Sequence, residues 1–353
     1  MSPITFLILV AGLVLLVIGA EFLVKGSSRL AAMLRIPPLI IGLTVVAYGT
    51  SAPEMSVSVM SALSADGADI AIGNVVGSNI CNVLLILGLS ALIAPLGVTK
   101  QMIRSDVPIM IGVSFLLLLF SLDGQLSKVD SIILFIGGVT YTLSLIYQSS
   151  KQSVEHDEFT EEYSLSEPVT LIAWVKNGVY IIGGLVLLVL GSRWLVASAI
   201  TIAEYFQVSK LIVGLTIVAV GTSLPELFTS VVASYRGETE IAVGNVLGSN
   251  IFNILAVLGI SGIVAPNGIN VSPTVISFDI PVMISVAFAC LPIFYSGKRI
   301  ERWEGILFLF YYVAYTAYLI LDSVDHPALP VFVNIMVLGV IPLTAIALIT
   351  IAI

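Results

Sequence analysis

The chain has 353 residues, of which 58% are hydrophobic and only 10% are charged, and its formal net charge is −8. Average proteins contain about 25% charged residues, so this composition, with a mean hydropathy of +1.11, excludes a soluble globular protein. We predict an all-α polytopic membrane protein that is not an enzyme, has no prosthetic group and has no nucleic-acid partner.

Apolar runs long enough to span about 30 Å of hydrocarbon recur along the whole chain. We predict eleven spans, at residues 3–24, 38–63, 70–94, 105–122, 130–148, 171–198, 211–235, 241–265, 277–296, 303–322 and 328–352. The first run lacks a basic leading region, so we expect no cleaved signal peptide. Cys81 and Cys290 fall within predicted spans, where we expect reduced, buried thiols.

Basic residues between the spans indicate how the chain is oriented. If the N-terminus lies outside, the cytoplasmic segments hold eleven Lys and Arg residues, and the outer segments hold only Lys128, Arg193 and Lys210. Lys and Arg are enriched in cytoplasmic loops, so we predict an outer N-terminus and a cytoplasmic 149–170 segment. We expect this acidic segment to be a solvated connector, with weak cation sensing as the alternative.

Two phrases each occur twice. Residues 42–54 (GLTVVAYGTSAPE) return at 214–226 (GLTIVAVGTSLPE), and 73–82 (GNVVGSNICN) return at 244–253 (GNVLGSNIFN). What repeats is mostly Gly, Ser, Thr, Asn, Pro and one Glu, within segments apolar enough to lie in a bilayer. Ionisable residues at membrane depth are costly, and are therefore functional candidates.

The repeat divides the chain. We predict a first five-helix half at 1–148, an acidic linker at 149–170, a second half at 171–322 and an unmatched eleventh helix within 323–353. Because five is an odd number of spans, the second half enters the membrane from the opposite side. This arrangement is an inverted repeat, which many secondary transporters share.

Glu54 and Glu226 lie near the middle of their predicted spans, each directly after a proline. Proline interrupts the helix and leaves carbonyls without helical partners, here around residues 47–50 and 219–222. At membrane depth such carbonyls must be buried in protein or directed at an ion or water. Oxygen-only surroundings suit hard cations, above all Na⁺ and Ca²⁺.

The serines and asparagines of the phrases have two interpretations each. Ser-x-Pro-Glu also fits a capping box, so we expect the serine to cap the restarted helix as well. In the second phrase Ser and Asn lie at i and i+4, on one helix face, which favours Ser78, Asn82, Ser249 and Asn253 as ligands. The glycines favour close helix packing, and we expect interhelical hydrogen bonds from Asn74, Asn79, Asn245 and Asn250.

At these residues the sequence resembles a known family. The paired Gly-Thr-Ser-x-Pro-Glu and Gly-Asn-x-x-Gly-Ser-Asn-Ile-x-Asn phrases look like the two alpha-repeats of the sodium/calcium exchanger branch of the calcium/cation antiporter superfamily. The resemblance covers both five-helix halves. It implies a ten-helix inverted-repeat core, with cation sites where the second, third, seventh and eighth helices meet, and exchange of Na⁺ for Ca²⁺.

The resemblance also implies the ligands. Glu54 and Glu226 would be central carboxylates shared by Ca²⁺ and Na⁺, and Thr50 and Thr222 would supply backbone carbonyls to Ca²⁺. The remaining ligands would form the outer and inner Na⁺ sites and face the middle position: Ser51, Ser78, Ser223 and Ser249 with the carbonyls of Ala47 and Ala219, and then Asn82 and Asn253.

One departure concerns charge. Several relatives, the potassium-dependent branch among them, have Asp at the position of Asn253, whereas this chain is neutral both there and at Asn82. Two central carboxylates rather than three argue against potassium co-transport. Exchange of three Na⁺ for one Ca²⁺ would then move net charge, worth about 2.3 kcal/mol per 100 mV.

Three alternatives remain open. A proton/calcium antiporter of the same superfamily uses the same fold and carboxylates, but that branch usually carries a different phrase around the Glu. A cation channel normally needs several subunits around one axis, whereas a two-fold repeat suits a carrier. An intramembrane hydrolase would need a nucleophile beside a histidine, and His156 and His326 both lie in predicted loops.

We expect alternating access, in which Ca²⁺ or a set of Na⁺ ions occupies overlapping sites between Glu54 and Glu226. Two carboxylates in a medium of low dielectric constant repel each other when no cation is bound, which makes the unloaded protein costly and enforces exchange. The first and sixth helices are expected to slide across the core. We expect a monomer in a prokaryotic plasma membrane, with H⁺ as a candidate competing ion.

Overall fold

The computed structural model of the protein describes residues 3–63, 68–155, 170–207, 217 and 219–352, and nearly all of them are helical. Within these ranges, nine helices are apolar and long enough to cross a membrane. The prediction of an all-α polytopic membrane fold is therefore confirmed.

The helices follow the predicted spans. Up to residue 155 they are α1 (Pro3–Leu34), α2 (Pro38–Thr50), α3 (Ala52–Leu63), α4 (Ala68–Cys81, continued as π-helical Asn82–Leu87 and then Gly88–Ile93), α5 (Met102–Ser121) and α6 (Lys128–Glu155). From residue 171 they are α7 (Leu171–Tyr205), α8 (Ala219–Gly221), α9 (Leu224–Tyr235), α10 (Thr239–Phe252, continued as π-helical Asn253–Leu258 and then Gly259–Val264), α11 (Val275–Tyr295) and α12 (Arg302–Ser323). The last helix, α13, comprises Leu329–Ile335, π-helical Met336–Val340 and Ile341–Ala352.

Three helix ends lie beyond the prediction, among them that of α7, which reaches Tyr205 rather than residue 198. α1 extends to Leu34, well past the predicted end at residue 24. α6 continues to Glu155 and so enters the predicted 149–170 linker. The rest of that linker, residues 156–169, lies outside the described residues.

The predicted spans 38–63 and 211–235 are both interrupted. After α2, Ser51 has a ψ of 10°, and α3 then restarts with Pro53 in its first turn. Ser223 has a ψ of 9° directly before α9, which also begins with a proline in its first turn. Proline is tolerated there, because N–H groups at a helix start have no helical partner. The Ser-x-Pro sequence therefore ends one helix and begins the next at membrane depth.

α1 and α7 pack closely against each other. A Cβ atom built on Gly12 would lie 2.9 Å from the carbonyl oxygen of Gly191, and one built on Gly19 would lie 2.8 Å from that of Gly184. The order of these contacts makes the two helices antiparallel. Glycine is required because the two backbones touch, so α1 and α7 form a close pair beside the site helices.

α4 and α10, which carry the Gly-Ser-Asn phrases, are the most deeply buried helices among the described residues. Buried residues make up 72% of the apolar stretch of α4 and 83% of that of α10. α10 also approaches α2 closely, since a Cβ atom on Gly248 would lie 2.8 Å from the Cα atom of Leu43. These helices form the core on which the broken helices pack.

Two short strand pairs tie the ends of the bundle. β1 (Leu96–Gly97) pairs antiparallel with β4 (Arg299–Ile300), and β2 (Gln125–Leu126) pairs antiparallel with β3 (Ile269–Asn270). Because β1 precedes α5 and β2 follows it, the two pairs lie at opposite ends of that helix. Each pair joins the first part of the chain to the second.

α13 lies at the side of the bundle against α11 and α12. Its polar contact is a hydrogen bond of 2.7 Å from Tyr311 Oη on α12 to Thr344 Oγ1. Only 6% of its apolar stretch is buried within the protein. The last predicted span is therefore present as a peripheral helix.

Candidate functional site

Both glutamates of the repeated phrase lie in the first turn of a helix. Glu54 belongs to α3 and Glu226 to α9, and each is 1% exposed. The positive end of the helix dipole favours a carboxylate at this position.

The serine of each phrase binds the glutamate of the other phrase. Ser51 Oγ donates to Glu226 Oε1 over 2.9 Å, and Ser223 Oγ donates to Glu54 Oε1 over 3.0 Å. Ser223 makes no capping hydrogen bond to its own helix, so the expectation of a capping box is wrong for that copy. A hydrogen bond to a carboxylate is about twice as strong as one between neutral groups, which favours the partner across the site.

The threonines are held by asparagines from the neighbouring helices. Thr50 Oγ1 donates to Asn245 Oδ1 over 3.0 Å. Asn245 Nδ2 in turn donates to Ser230 Oγ over 2.9 Å and to the carbonyl of Glu226 over 3.3 Å. The other copy repeats this, from Thr222 to Asn74 Oδ1 (3.4 Å) and from Asn74 to Ser58 Oγ (3.0 Å) and to the Glu54 carbonyl (3.3 Å). Interhelical bonding by both asparagines is confirmed.

Asn79 and Asn250 also bond between helices, as predicted. Asn79 Nδ2 donates to the carbonyl of Asn250 over 3.1 Å. Asn82 Nδ2 donates to Asn250 Oδ1 over 2.9 Å, and Asn253 Nδ2 donates to Asn79 Oδ1 over 3.1 Å. The amide nitrogens of Asn82 and Asn253 thus donate to protein groups, while their Oδ1 atoms have no hydrogen-bond partner in the part of the chain that the structure describes.

A matched set of oxygens is buried without a hydrogen-bond partner among the described residues. It comprises Glu54 Oε2, Glu226 Oε2, Ser78 Oγ, Ser249 Oγ, Asn82 Oδ1 and Asn253 Oδ1. All six belong to residues predicted as ligands, three from each copy of the repeat. An unsatisfied buried polar group costs about 1–3 kcal/mol, and such groups in a native protein require an explanation.

Backbone oxygens are described for part of the predicted set. The carbonyl of Ala47 accepts the Ser51 N–H over 3.1 Å, and its oxygen lies 3.4 Å from the Thr50 hydroxyl oxygen. Ala219 begins α8, where the carbonyl of Gly221 accepts from Ser192 Oγ of α7 over 2.7 Å. Residues 214–216 and 218 of this phrase lie outside the described part of the chain.

Sequence reasoning missed three hydroxyls. Ser58 and Ser230 lie one turn after the glutamates, at i+4, and hold the asparagines in place. Thr229, at i+3 from Glu226, is fully buried with an unpartnered Oγ1. A comparison of the two copies does not identify Thr229, because the first copy has Val57 at the matching position. Its spacing of three residues from Glu226 on the same helix is the signal that could have identified it.

The chemistry of the site is that of oxygen ligands. Within the described ranges, no group of three or more His, Cys, Asp and Glu residues is placed to hold a metal ion. Two carboxylates surrounded by hydroxyl and amide oxygens suit Ca²⁺ and other hard cations rather than soft metals. The arrangement offers acceptors to a cation and lacks a nucleophile–histidine pair among the residues that form it.

Known proteins resemble this chain along most of its length. The family model described as "Sodium/calcium exchanger protein" matches residues 4–149 and 176–321. "Putative antiporter CaxA" of Alkalimonas amylolytica is 42% identical over 315 residues, covering 88% of this chain and 97% of that protein. "Sodium/calcium exchanger MaX1" of Methanosarcina acetivorans is 34% identical over 346 residues, covering 89% and 98% respectively.

Solved structures of a sodium-calcium exchanger are also similar to this chain. A structure of the sodium-calcium exchanger NCX_Mj superposes with a TM-score of 0.77 at 30% identity, covering 90% of this chain and all of that one. Such proteins are membrane transporters rather than enzymes. With its fold, its repeated phrases and a family match over both parts, the chain belongs to the sodium/calcium exchanger family.

Proposed function

We propose that this protein exchanges Na⁺ for Ca²⁺ across the membrane by alternating access, with the ions bound between Glu54 and Glu226. The observation that carries the proposal is the matched set of six buried, unpartnered oxygens. At about 1–3 kcal/mol each, their combined cost is comparable with the whole stability of a typical domain. A cation bound among them would remove that cost.

The ligands divide between two kinds of site. Ca²⁺ lies between the two carboxylates, with backbone carbonyls of Thr50 and Thr222, and Asn82 and Asn253 face the middle position. The outer and inner Na⁺ sites use the remaining predicted ligands, which are Ser51, Ser223, Ser78, Ser249 and the carbonyls of Ala47 and Ala219. The hydrogen bonds from Ser51 and Ser223 to the glutamates support this, since they bring each serine to the carboxylate it would share an ion with.

The charge of the two glutamates explains why the protein would transport one kind of ion only in exchange for the other. The site carries a formal charge of −2 from its two glutamates, and one Ca²⁺ balances it. Without a cation the carboxylates repel in a medium of low dielectric constant, so the empty protein does not readily reorient. Loading by either Ca²⁺ or Na⁺ relieves the repulsion and allows the movement.

The repeat supplies a symmetric mechanism. We assign residues 1–148 and 171–322 to two inverted halves, with the N-terminus outside, the 149–170 linker in the cytoplasm and a monomer in a prokaryotic plasma membrane as the working unit. Reciprocal bonding across the site supports this, because each contact made by one copy has a counterpart made by the other. The two strand pairs at opposite ends of the bundle are also counterparts of each other, because each joins one strand from the first half to one strand from the second.

Calcium uptake into proteoliposomes tests the proposal. Uptake by vesicles loaded with Na⁺ should exceed uptake by vesicles loaded with K⁺, and Glu54→Gln and Glu226→Gln should each abolish it. Asp325→Asn is the matched control, because Asp325 is an exposed loop residue with a positive φ that Asn also adopts. Uptake that follows a pH gradient and ignores Na⁺ would assign the protein to proton exchange instead.

A further inference from the structure

A cavity of about 780 Å³ lies between α11, α12 and α13. Its walls are mainly apolar, and include Val282, Ala289, Ala314, Met336, Ala345 and Leu348. The serine and threonine hydroxyls that line it are already bonded, since Ser285 donates to the Pro281 carbonyl and Thr344 donates to the Val340 carbonyl. The cavity therefore offers almost nothing to a polar ligand.

The cavity lies within the membrane-spanning segments and opens sideways. Phe288, Val337 and Ile341 line it and are also exposed on the surface of the bundle. Water is a poor occupant, because a buried water needs two or more polar partners, and a void would forfeit the contacts of its walls. Hydrocarbon from the surrounding bilayer is the occupant that matches the walls.

One end of the cavity carries negative charge and aromatic rings. Phe278 stacks on Tyr318 with ring centroids 4.0 Å apart. Asp279 accepts a hydrogen bond of 2.9 Å from Tyr315, and Asp322 follows Tyr318 by four residues on α12, which places both on one face of that helix. The adjoining loops, 265–274 and 323–328, contain no Lys or Arg.

This end selects for a cationic group. Carboxylates attract an ammonium ion, aromatic faces bind it through cation–π contacts, and recognition of anionic lipids would need basic residues instead. We propose that the cavity binds one acyl chain of an amine-bearing, zwitterionic phospholipid, whose headgroup amine lies at Asp279 and Asp322. The site would lie between the bundle and the peripheral α13, which is beyond the family match.

The occupant would also contact the transport machinery. Leu84 lines the cavity and follows Asn82 by two residues in the same π-helical segment. An acyl chain in the cavity therefore supports, from the lipid side, the helix that presents Asn82 to the candidate ion site.

Native mass spectrometry of the purified full chain tests the inference. The protein is delipidated in detergent and then given equal amounts of phosphatidylethanolamine and phosphatidylglycerol with identical acyl chains. We expect one retained phosphatidylethanolamine, in several-fold excess over phosphatidylglycerol. Asp279→Asn should keep a bound lipid but lose the preference, since the carboxylate charge is removed while an acceptor for Tyr315 remains.

Filling the cavity gives the complementary test. Ala289→Phe on α11 and Ala345→Phe on α13 should each abolish lipid retention, whereas Ala347→Phe should not, because Ala347 is exposed and does not line the cavity. Size-exclusion chromatography shows whether Ala289→Phe or Ala345→Phe fails to fold. If one of them does, lipid retention by the other variant is the test. Equal retention of both lipids by the native chain, or undiminished retention by the folded filling variants, would overturn the inference.

Discussion

At the scale of single residues, the site separates donors from acceptors. The side-chain amide nitrogens of the asparagines and the hydroxyl hydrogens of Ser51 and Ser223 are donated to neighbouring protein groups, as in the bonds from Asn82 to Asn250 and from Ser51 to Glu226. What remains directed inward is acceptor oxygen, which is what a hard cation requires. Residues such as Asn74 and Asn245 complete this arrangement by fixing the threonines and the glutamate backbone.

Ser51→Ala tests this division of roles. The change removes a hydroxyl that contacts Glu226 and that we assign to a Na⁺ site. Because a hydrogen bond to a charged group contributes about 1.5–3 kcal/mol, the Na⁺ concentration for half-maximal exchange should rise about tenfold or more. Initial rates of calcium uptake measured against internal Na⁺ give this value.

Ser56→Ala is the control for that variant. Ser56 lies on α3, the helix that begins directly after Ser51, is exposed and bonds only to the carbonyl of Ala52 among the contacts described. Its replacement should leave the Na⁺ dependence unchanged. An unchanged Na⁺ dependence in Ser51→Ala would remove Ser51 from the proposed ligand set.

At the scale of elements, broken helices and glycine contacts have different roles. The breaks at Ser51 and Ser223 place a helix start, with its glutamate, in the middle of the bundle. The α1–α7 pair carries none of the proposed ligands, and its backbones meet at Gly19 and Gly184. We infer that the first group binds ions while the second forms a unit that moves over it.

Adjacent glycines on α7 test the importance of this contact. A Cβ atom on Gly184 would lie 2.7 Å from the Gly19 carbonyl oxygen, whereas one on Gly183 would have no atom of the described residues within 4 Å. Gly184→Ala should lower the free energy of unfolding by about 1–3 kcal/mol through overpacking and slow exchange. Gly183→Ala should be neutral or stabilising by about 0.5–1 kcal/mol.

Thermal unfolding in detergent and initial exchange rates measure both variants. Similar behaviour of Gly183→Ala and Gly184→Ala would show that the backbone contact between α1 and α7 contributes neither to stability nor to movement.

At the scale of the whole molecule, much of the architecture could be predicted from sequence, because membrane spans and helix breaks are local properties. Six of the buried oxygens without a described hydrogen-bond partner belong to residues that the repeated phrases indicate. The cross-bonding of Ser51 and Ser223 could not be predicted, since a local capping motif competes with a partner far away in the chain. Thr229 could not be identified from the repeat, because the matching residue of the first copy is a valine.

Orientation is a prediction at this scale. In a chain carrying Asp123→Cys, which places a thiol in the exposed loop after α5, a membrane-impermeant maleimide should label intact cells. Lys298→Cys, in the exposed loop between α11 and α12, should be labelled only after permeabilisation. The native thiols of Cys81 and Cys290 are buried and give a low background. The reverse pattern of labelling would place the N-terminus in the cytoplasm.

The most direct measurement is anomalous X-ray diffraction from crystals of the protein soaked with Sr²⁺, a heavier stand-in for Ca²⁺. The strongest anomalous peak should lie between the carboxylates of Glu54 and Glu226, and should weaken as Na⁺ is added. A strongest peak away from these two side chains, or none in the bundle under conditions that support calcium exchange, would contradict the proposal that one dehydrated cation joins the two copies of the repeat.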